Sequence, residues 1–162
     1  MTVWAIASAD EMHEAGRRLA RFVRAGDLVV LKGALGSGKT TLTRGLGEGM
    51  DVRGAVTSPT FVIARIHPSN GTGPALVHVD AYRLGGIDEV DDLDLDASLP
   101  DSVTVVEWGE GKVEDVAEDR LVIELTRDES TDEIRLVRTH PVGSRWEGVD
   151  LGPAFDLSSA PD

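Results

Sequence analysis

The stretch Gly33-Ala34-Leu35-Gly36-Ser37-Gly38-Lys39-Thr40 leaves a chain like this few folds to choose from. It matches G-x-x-x-x-G-K-[ST] without a substitution. Asp27 to Leu31 before it is a short apolar run suited to a buried parallel strand. Thr41 to Met50 after it can wind as a helix, with Leu42 and Leu46 on one face. Strand, glycine loop and helix in this order form a phosphate cradle. Successive backbone N–H groups curl round phosphate oxygens, and glycines supply the conformations and close approach that this needs. The positive end of the following helix strengthens the anion site. Gly33, Leu35, Gly36, Ser37, Gly38, Lys39, Thr40 and Thr41 are therefore the expected nucleotide-binding residues. Lys39 would reach the β- and γ-phosphates of ATP, and the Thr40 hydroxyl would ligate Mg²⁺. A glycine-rich turn that matches by chance is the competing explanation; from this composition it is roughly a half per cent event.

The 162 residues, 41% of them hydrophobic, are enough for one domain with its own core. The absence of cysteine excludes disulfides, thiolate metal sites and cysteine nucleophiles together. With 29 Asp and Glu against 16 Lys and Arg, the net charge is −13. A broad grip on nucleic acid calls for a basic face, so protein or small-molecule partners are favoured over direct tRNA binding. A solubility or salt adaptation accounts for the same acidity without any partner. No run approaches the ~18 apolar residues of a membrane-spanning helix. Met1-Thr2-Val3-Trp4 has neither the basic nor the apolar region of a secretory signal, so a cytoplasmic protein without a membrane contact is expected.

Thr2 to Ile6 alternates as a short edge strand does, and Ser8 with Glu11 spells a capping box. The helix it opens carries Ala15, Leu19, Phe22 and Val23 on one stripe, with Arg17, Arg18, Arg21 and Arg24 read as a solvated face. Gly45, Gly47 and Gly49 are expected to weaken the last turns of the helix after the glycine loop. Thr57-Ser58-Pro59-Thr60 is a polar turn, placed where a loop sensing the γ-phosphate could sit, and Phe61 to Ala64 is a strand candidate. His67 to Pro74 reads as a hairpin loop leading into the strand Ala75–Asp80. An apolar strand delivering Asp80 at its carboxyl end is the Walker B arrangement, although a strand-ending Asp that caps a turn looks the same. Ser102 to Val106 ends likewise in Glu107-Trp108, a second carboxylate on that edge if the strands are parallel neighbours. Asp88 to Asp96 holds six acids in nine residues, an acidic helix or surface loop. Leu121–Thr126 and Glu133–Arg138 read as an antiparallel hairpin. Periodicity stops after Val142, which divides the chain into a domain over 1–142 and a flexible tail over 143–162.

Taken together, the glycine loop, Ser58-Pro59-Thr60-Phe61, His78-x-Asp80-x-Tyr82-Arg83-Leu84 and Glu107-Trp108 resemble the TsaE (YjeE) family of small ATPases in bacterial tRNA threonylcarbamoyladenosine (t6A) biosynthesis. The match covers roughly residues 1 to 140, and the Asp-x-Tyr-Arg-Leu and Glu-Trp elements are its most specific parts. By this resemblance Glu107 is the second protein ligand to the metal and Asp80 orients or deprotonates the attacking water. Thr60 lies in a switch-like loop near the γ-phosphate, and Trp108 lies close to the bound nucleotide. Without the resemblance, Trp108 is simply a large residue at a strand end. The resemblance further implies a subunit whose ATP turnover supports a TsaB–TsaD-like complex, and a P-loop NTPase domain. The expected fold is α/β, with a mixed, mainly parallel central sheet flanked by helices and a C-terminal antiparallel hairpin. A small-molecule kinase or a non-catalytic nucleotide-gated module would use the same loop. A kinase usually adds several arginines over the phosphates, whereas Arg120, Arg127, Arg135 and Arg138 are dispersed in the sequence.

Overall fold

Val29-Val30-Leu31 and Val103 to Val106 are nearly unbroken apolar runs, and both lie in the middle of one sheet. The structure, a computed structural model, describes residues 3–34, 36–54, 64–80, 99–107, 118–128, 130 and 133–157. These form a seven-stranded sheet of β1 (Val3–Ile6), β2 (Leu28–Lys32), β3 (Ala64–His67), β4 (Ala75–Asp80), β5 (Ser102–Glu107), β6 (Arg120–Arg127) and β7 (Arg135–Val142). The spatial order is β1-β7-β6-β2-β5-β4-β3. The central strands β6, β2, β5 and β4 are mutually parallel, while β7 and β3 oppose their neighbours. Because β1 is antiparallel to β7, five strands share one direction and two run against it. The sheet is thus mixed and mainly parallel, as expected, with the β6–β7 hairpin closing it. Burial explains the order. All six residues of β5 are buried, as befits a strand covered on both faces, whereas β6 alternates buried and half-buried positions.

Helix α1 (Ala9–Leu19) opens at Ser8, whose Oγ accepts from the Glu11 N–H at 3.1 Å. Glu11 answers by accepting from the Ala7 N–H at 2.6 Å, one residue earlier than the usual box. Met12, Ala15 and Leu19 face the core. The helix stops at Leu19, so Phe22 and Val23 reach the core from the turn that follows. Arg18 departs from the solvated face assigned to it: it is 8% exposed, paired with Glu14 and donating to the Asp156 carbonyl at 3.5 Å.

Helix α2 (Lys39–Gly49) packs along α1, and its glycines carry that contact. A Cβ at Gly45 would run into the His13 carbonyl, and one at Gly49 would meet the Arg17 carbonyl at 2.6 Å. Across the seam, a Cβ at Gly16 would strike the Leu42 carbonyl. The glycines read as weakening the helix are what lets two backbones lie against each other.

The tail expected from residue 143 does not hold for 143–157. After β7 the chain makes a 3-10 turn (Ser144–Trp146) and a short helix α3 (Gly152–Phe155). Trp146, Leu151, Ala154 and Phe155 are buried in the same core as Met12, Leu19, Val29 and Ile123. Arg145 secures the segment by donating from Nε and Nη2 to both oxygens of the buried Asp27 carboxylate. Four apolar anchors scattered among Gly, Asp and Ser leave no periodicity to read. Residues 158–162, the 57–60 turn, the 61–63 part of the strand candidate and the acidic 88–96 stretch lie outside the described residues.

Candidate functional site at the carboxyl edge of the sheet

Strand β2 ends at Lys32, and the glycine loop runs from its carboxyl end into α2. Gly36 (φ 79°) and Gly38 (φ 106°) sit in the left-handed region, which side chains with a Cβ enter only at a cost. Gly38 is the N-cap of α2, and no side chain caps it. The first-turn N–H groups, which a helix cannot pair internally, therefore begin at the loop. Lys39 is 5% exposed and curls back, its ammonium donating to the carbonyls of Gly33 at 2.6 Å and Ala34 at 3.0 Å. The Ser37 N–H donates to the Ala34 carbonyl at 3.1 Å. Among the described residues the buried Ser37 Oγ has no hydrogen-bond partner, a polar atom at the heart of the loop with capacity to spare. Thr40 and Thr41 follow in the first turn of α2, both half-buried.

Two strands end in acidic residues at the same edge. Asp80 closes β4 and Glu107 closes β5, and the two are direct register partners in the parallel ladder. Glu107 is also level with Leu31 on β2, two residues before the loop begins. The order β2-β5-β4 thus sets Glu107 beside the loop and Asp80 one strand further out. Glu107 is 5% exposed, and its Oε2 lies 2.5 Å from Nε2 of His78, which is wholly buried. Sequence reasoning gave His78 no task. Its spacing two residues before Asp80 on a strand, hence on the same face, is the signal that could have found it.

On the opposite side of β2, β6 and β7 contribute a second feature that sequence reasoning missed. Arg127 and Arg135 are cross-strand partners at the end of the hairpin. Both aim Nη2 at the Gly36 carbonyl, at 3.5 and 3.3 Å. Dispersed in sequence, these arginines converge in the fold, and a Cβ on Gly36 would meet the Arg127 guanidinium. Antiparallel pairing of β6 with β7 juxtaposes residues that linear spacing separates.

Among the described residues no three His, Asp or Glu side chains form a metal cluster by themselves. Magnesium does not need one, since it is commonly held by one or two carboxylates together with substrate phosphates and waters. A buried carboxylate beside a phosphate-type loop with an unsatisfied hydroxyl is a donor set that fits it. Leu35, Thr60 and Trp108 lie outside the described residues.

The family model for "Threonylcarbamoyl adenosine biosynthesis protein TsaE" matches residues 6–136. The chain belongs to the TsaE family. It is 66% identical over 143 residues to a TsaE protein of Streptomyces coelicolor, covering 86% of this chain and 97% of that one. A Mycobacterium tuberculosis TsaE is 50% identical over 119 residues, 69% of this chain and 71% of its own. A Bacillus subtilis TsaE is 36% identical over 145 residues, 89% and 88% of the two chains. The crystal structure of Bacillus subtilis YdiB superposes with a TM-score of 0.70 at 30% identity, covering 90% of this chain and 88% of that one. The TsaE match ends inside β7, so the Arg145 clamp and α3 lie beyond the part that the family model describes.

Proposed function

We propose that this TsaE family member is a Mg²⁺-dependent ATPase that supports t6A modification of tRNA through a TsaB–TsaD-like protein complex. The observation that carries the reading is the placement of Lys39 inside the glycine loop with Glu107 level with the strand that feeds it. Lys39 and the loop amides stabilise charge on the β- and γ-phosphates. Thr40 and Glu107 would hold Mg²⁺, whose charge would offset that of the phosphates. Asp80 orients or deprotonates the attacking water, and Thr60 belongs to the loop that reads the γ-phosphate. Gly33, Leu35, Gly36, Ser37, Gly38, Thr41 and Trp108 complete the nucleotide site.

The net charge of −13 supports a protein partner over RNA, because no counterion release would repay approach to the phosphate backbone. No helix among the described residues is long and apolar enough to cross a membrane. The Arg127–Arg135 pair is the one observation favouring a small-molecule kinase, although it stands on a sheet hairpin and not on a separate lid.

A product assay decides between the readings. Release of inorganic phosphate from ATP, stimulated by the two-protein complex and lost in Lys39→Ala and Thr40→Ala, is the expected result. Transfer of phosphate to a metabolite would establish the kinase instead. Parental turnover in either variant would overturn the loop assignment, and tight tRNA binding by the isolated chain in a salt titration would overturn the partner assignment.

A further inference from the structure

We infer that His78 is a positioning residue: its imidazole orients the Glu107 carboxylate towards the metal. The inference rests on the reading of Glu107 as a Mg²⁺ ligand and adds a residue that this reading leaves without a role. Three observations carry it.

The first is the contact itself. His78 Nε2 and Glu107 Oε2 are 2.5 Å apart, with His78 at 0% and Glu107 at 5% exposure. Water cannot compete for either group there, so the hydrogen bond fixes a torsion that is otherwise broad in glutamate. With Oε2 engaged, Oε1 is the oxygen left for a cation.

The second is the register. His78 pairs with Val105 and Asp80 with Glu107, so His78 lies diagonal to the glutamate, one pleat back along the same face. An imidazole has the length to reach across that diagonal, whereas an aliphatic side chain like those of Leu76, Val77 and Val79 could only pack there.

The third is what the ring does not do. Nδ1 of His78 is buried and has no hydrogen-bond partner among the described residues. Donation from Nε2 to a carboxylate requires a proton on Nε2, and only in the neutral ring does that tautomer leave Nδ1 as an acceptor. Burying that nitrogen in a strand whose neighbours are Leu76, Val77 and Val79 carries a desolvation cost, which the bond to Glu107 helps to offset. The fold accepts that cost at a position from which Glu107 is held. Partners behind metal ligands commonly tune affinity by about ten- to a hundredfold.

The test compares His78→Leu, His78→Gln, His78→Asn and Glu107→Gln. Calorimetric titration with MgCl₂ in the presence of saturating β,γ-imido ATP reads metal affinity, and titration of the same analogue in EDTA reads metal-free nucleotide affinity. His78→Leu is expected to raise the Mg²⁺ dissociation constant about tenfold or more while metal-free affinity stays within about twofold. His78→Gln, whose amide nitrogen can take the Nε2 position, is expected to restore most of the loss, and the shorter Asn is not. If His78→Leu does not fold, the Gln-against-Asn difference decides alone, and equal metal affinity in the two overturns the proposal. Weakening by Glu107→Gln with none by His78→Leu would overturn positioning and leave the ligand assignment standing. Unchanged metal affinity in Glu107→Gln would overturn both.

Discussion

Arg145 grips Asp27 across 118 residues of chain: Nε meets Oδ1 and Nη2 meets Oδ2, each at 2.9 Å. The same Nη2 donates to the Phe22 carbonyl at 2.7 Å, and the guanidinium lies 4.2 Å from the centre of the Trp146 ring. Asp27 in turn accepts from the Arg24 N–H at 2.8 Å, at the entrance to β2. The C-terminal segment is therefore tied to the turn that launches the glycine-loop strand.

Asp27→Ala should lower stability by about 3–5 kcal/mol, because it strands the Arg145 charge in a largely buried position. Chemical denaturation should show a lower midpoint with an unchanged slope. Phe155→Ala should cost a comparable amount by opening a cavity against Trp4, whose ring centre lies 5.4 Å away. A loss below about 1 kcal/mol in both would mean that the segment does not belong to the cooperative core.

Gly45→Ala should destabilise by about 1–3 kcal/mol, although alanine is the better helix former by about 1 kcal/mol. The added methyl would overlap the His13 carbonyl of α1, and the partly exposed contact between His13 Nε2 and the Glu48 carboxylate at 2.9 Å beside it is too weak to hold a widened seam. Thermal unfolding of Gly45→Ala against an exposed glycine control, Gly71→Ala, measures the difference. Stabilisation by Gly45→Ala would show that α1 and α2 part without cost.

Arg127→Gln with Arg135→Gln should leave the unfolding midpoint nearly unchanged, because the contacts to the Gly36 carbonyl are exposed. The effect belongs to the loop: amide exchange at Gly36 to Gly38 should quicken, and ATP affinity should fall by less than about tenfold. Hydrogen exchange resolved by residue, together with nucleotide titration, checks both. Unaltered exchange would deny the pair any hold on the loop.

Stability should depend on pH through His67. Burial holds its imidazole below the usual 6.5, with His78 and Arg65 acting in the same direction and the contact to the Arg53 carbonyl opposing them. The unfolded chain then binds the proton more readily than the fold does. The contribution is fully present above the unfolded value of about 6.5 and is lost as pH falls through and below it. Denaturation between pH 5 and 7.5 should show that decline in the parent and a shallower one in His67→Gln. An identical slope in the two would assign the dependence elsewhere.

Much of this molecule is written locally. The strand before Gly33, the helix after it, the Ser8 cap, the Ala75–Asp80 strand and the β6–β7 hairpin all depend on short-range periodicity and turn chemistry, which a linear chain displays directly. The loop's phosphate chemistry is legible for the same reason, since its spelling is its geometry. Strand order is not local, and it alone sets Glu107 between the loop and Asp80. The bond from His78 to Glu107, the meeting of Arg127 with Arg135 at Gly36 and the capture of Asp27 by Arg145 each join residues that only the folded chain brings together. The glycines of α2 show the division within single residues. Propensity marks them as helix-weakening, and the neighbouring backbone of α1 turns them into the contact. Residues 143–157 show it for a whole segment. A few anchors order a stretch without periodicity once a preformed core offers them burial, because burial free energy depends on what a side chain packs against and not on its neighbours in sequence.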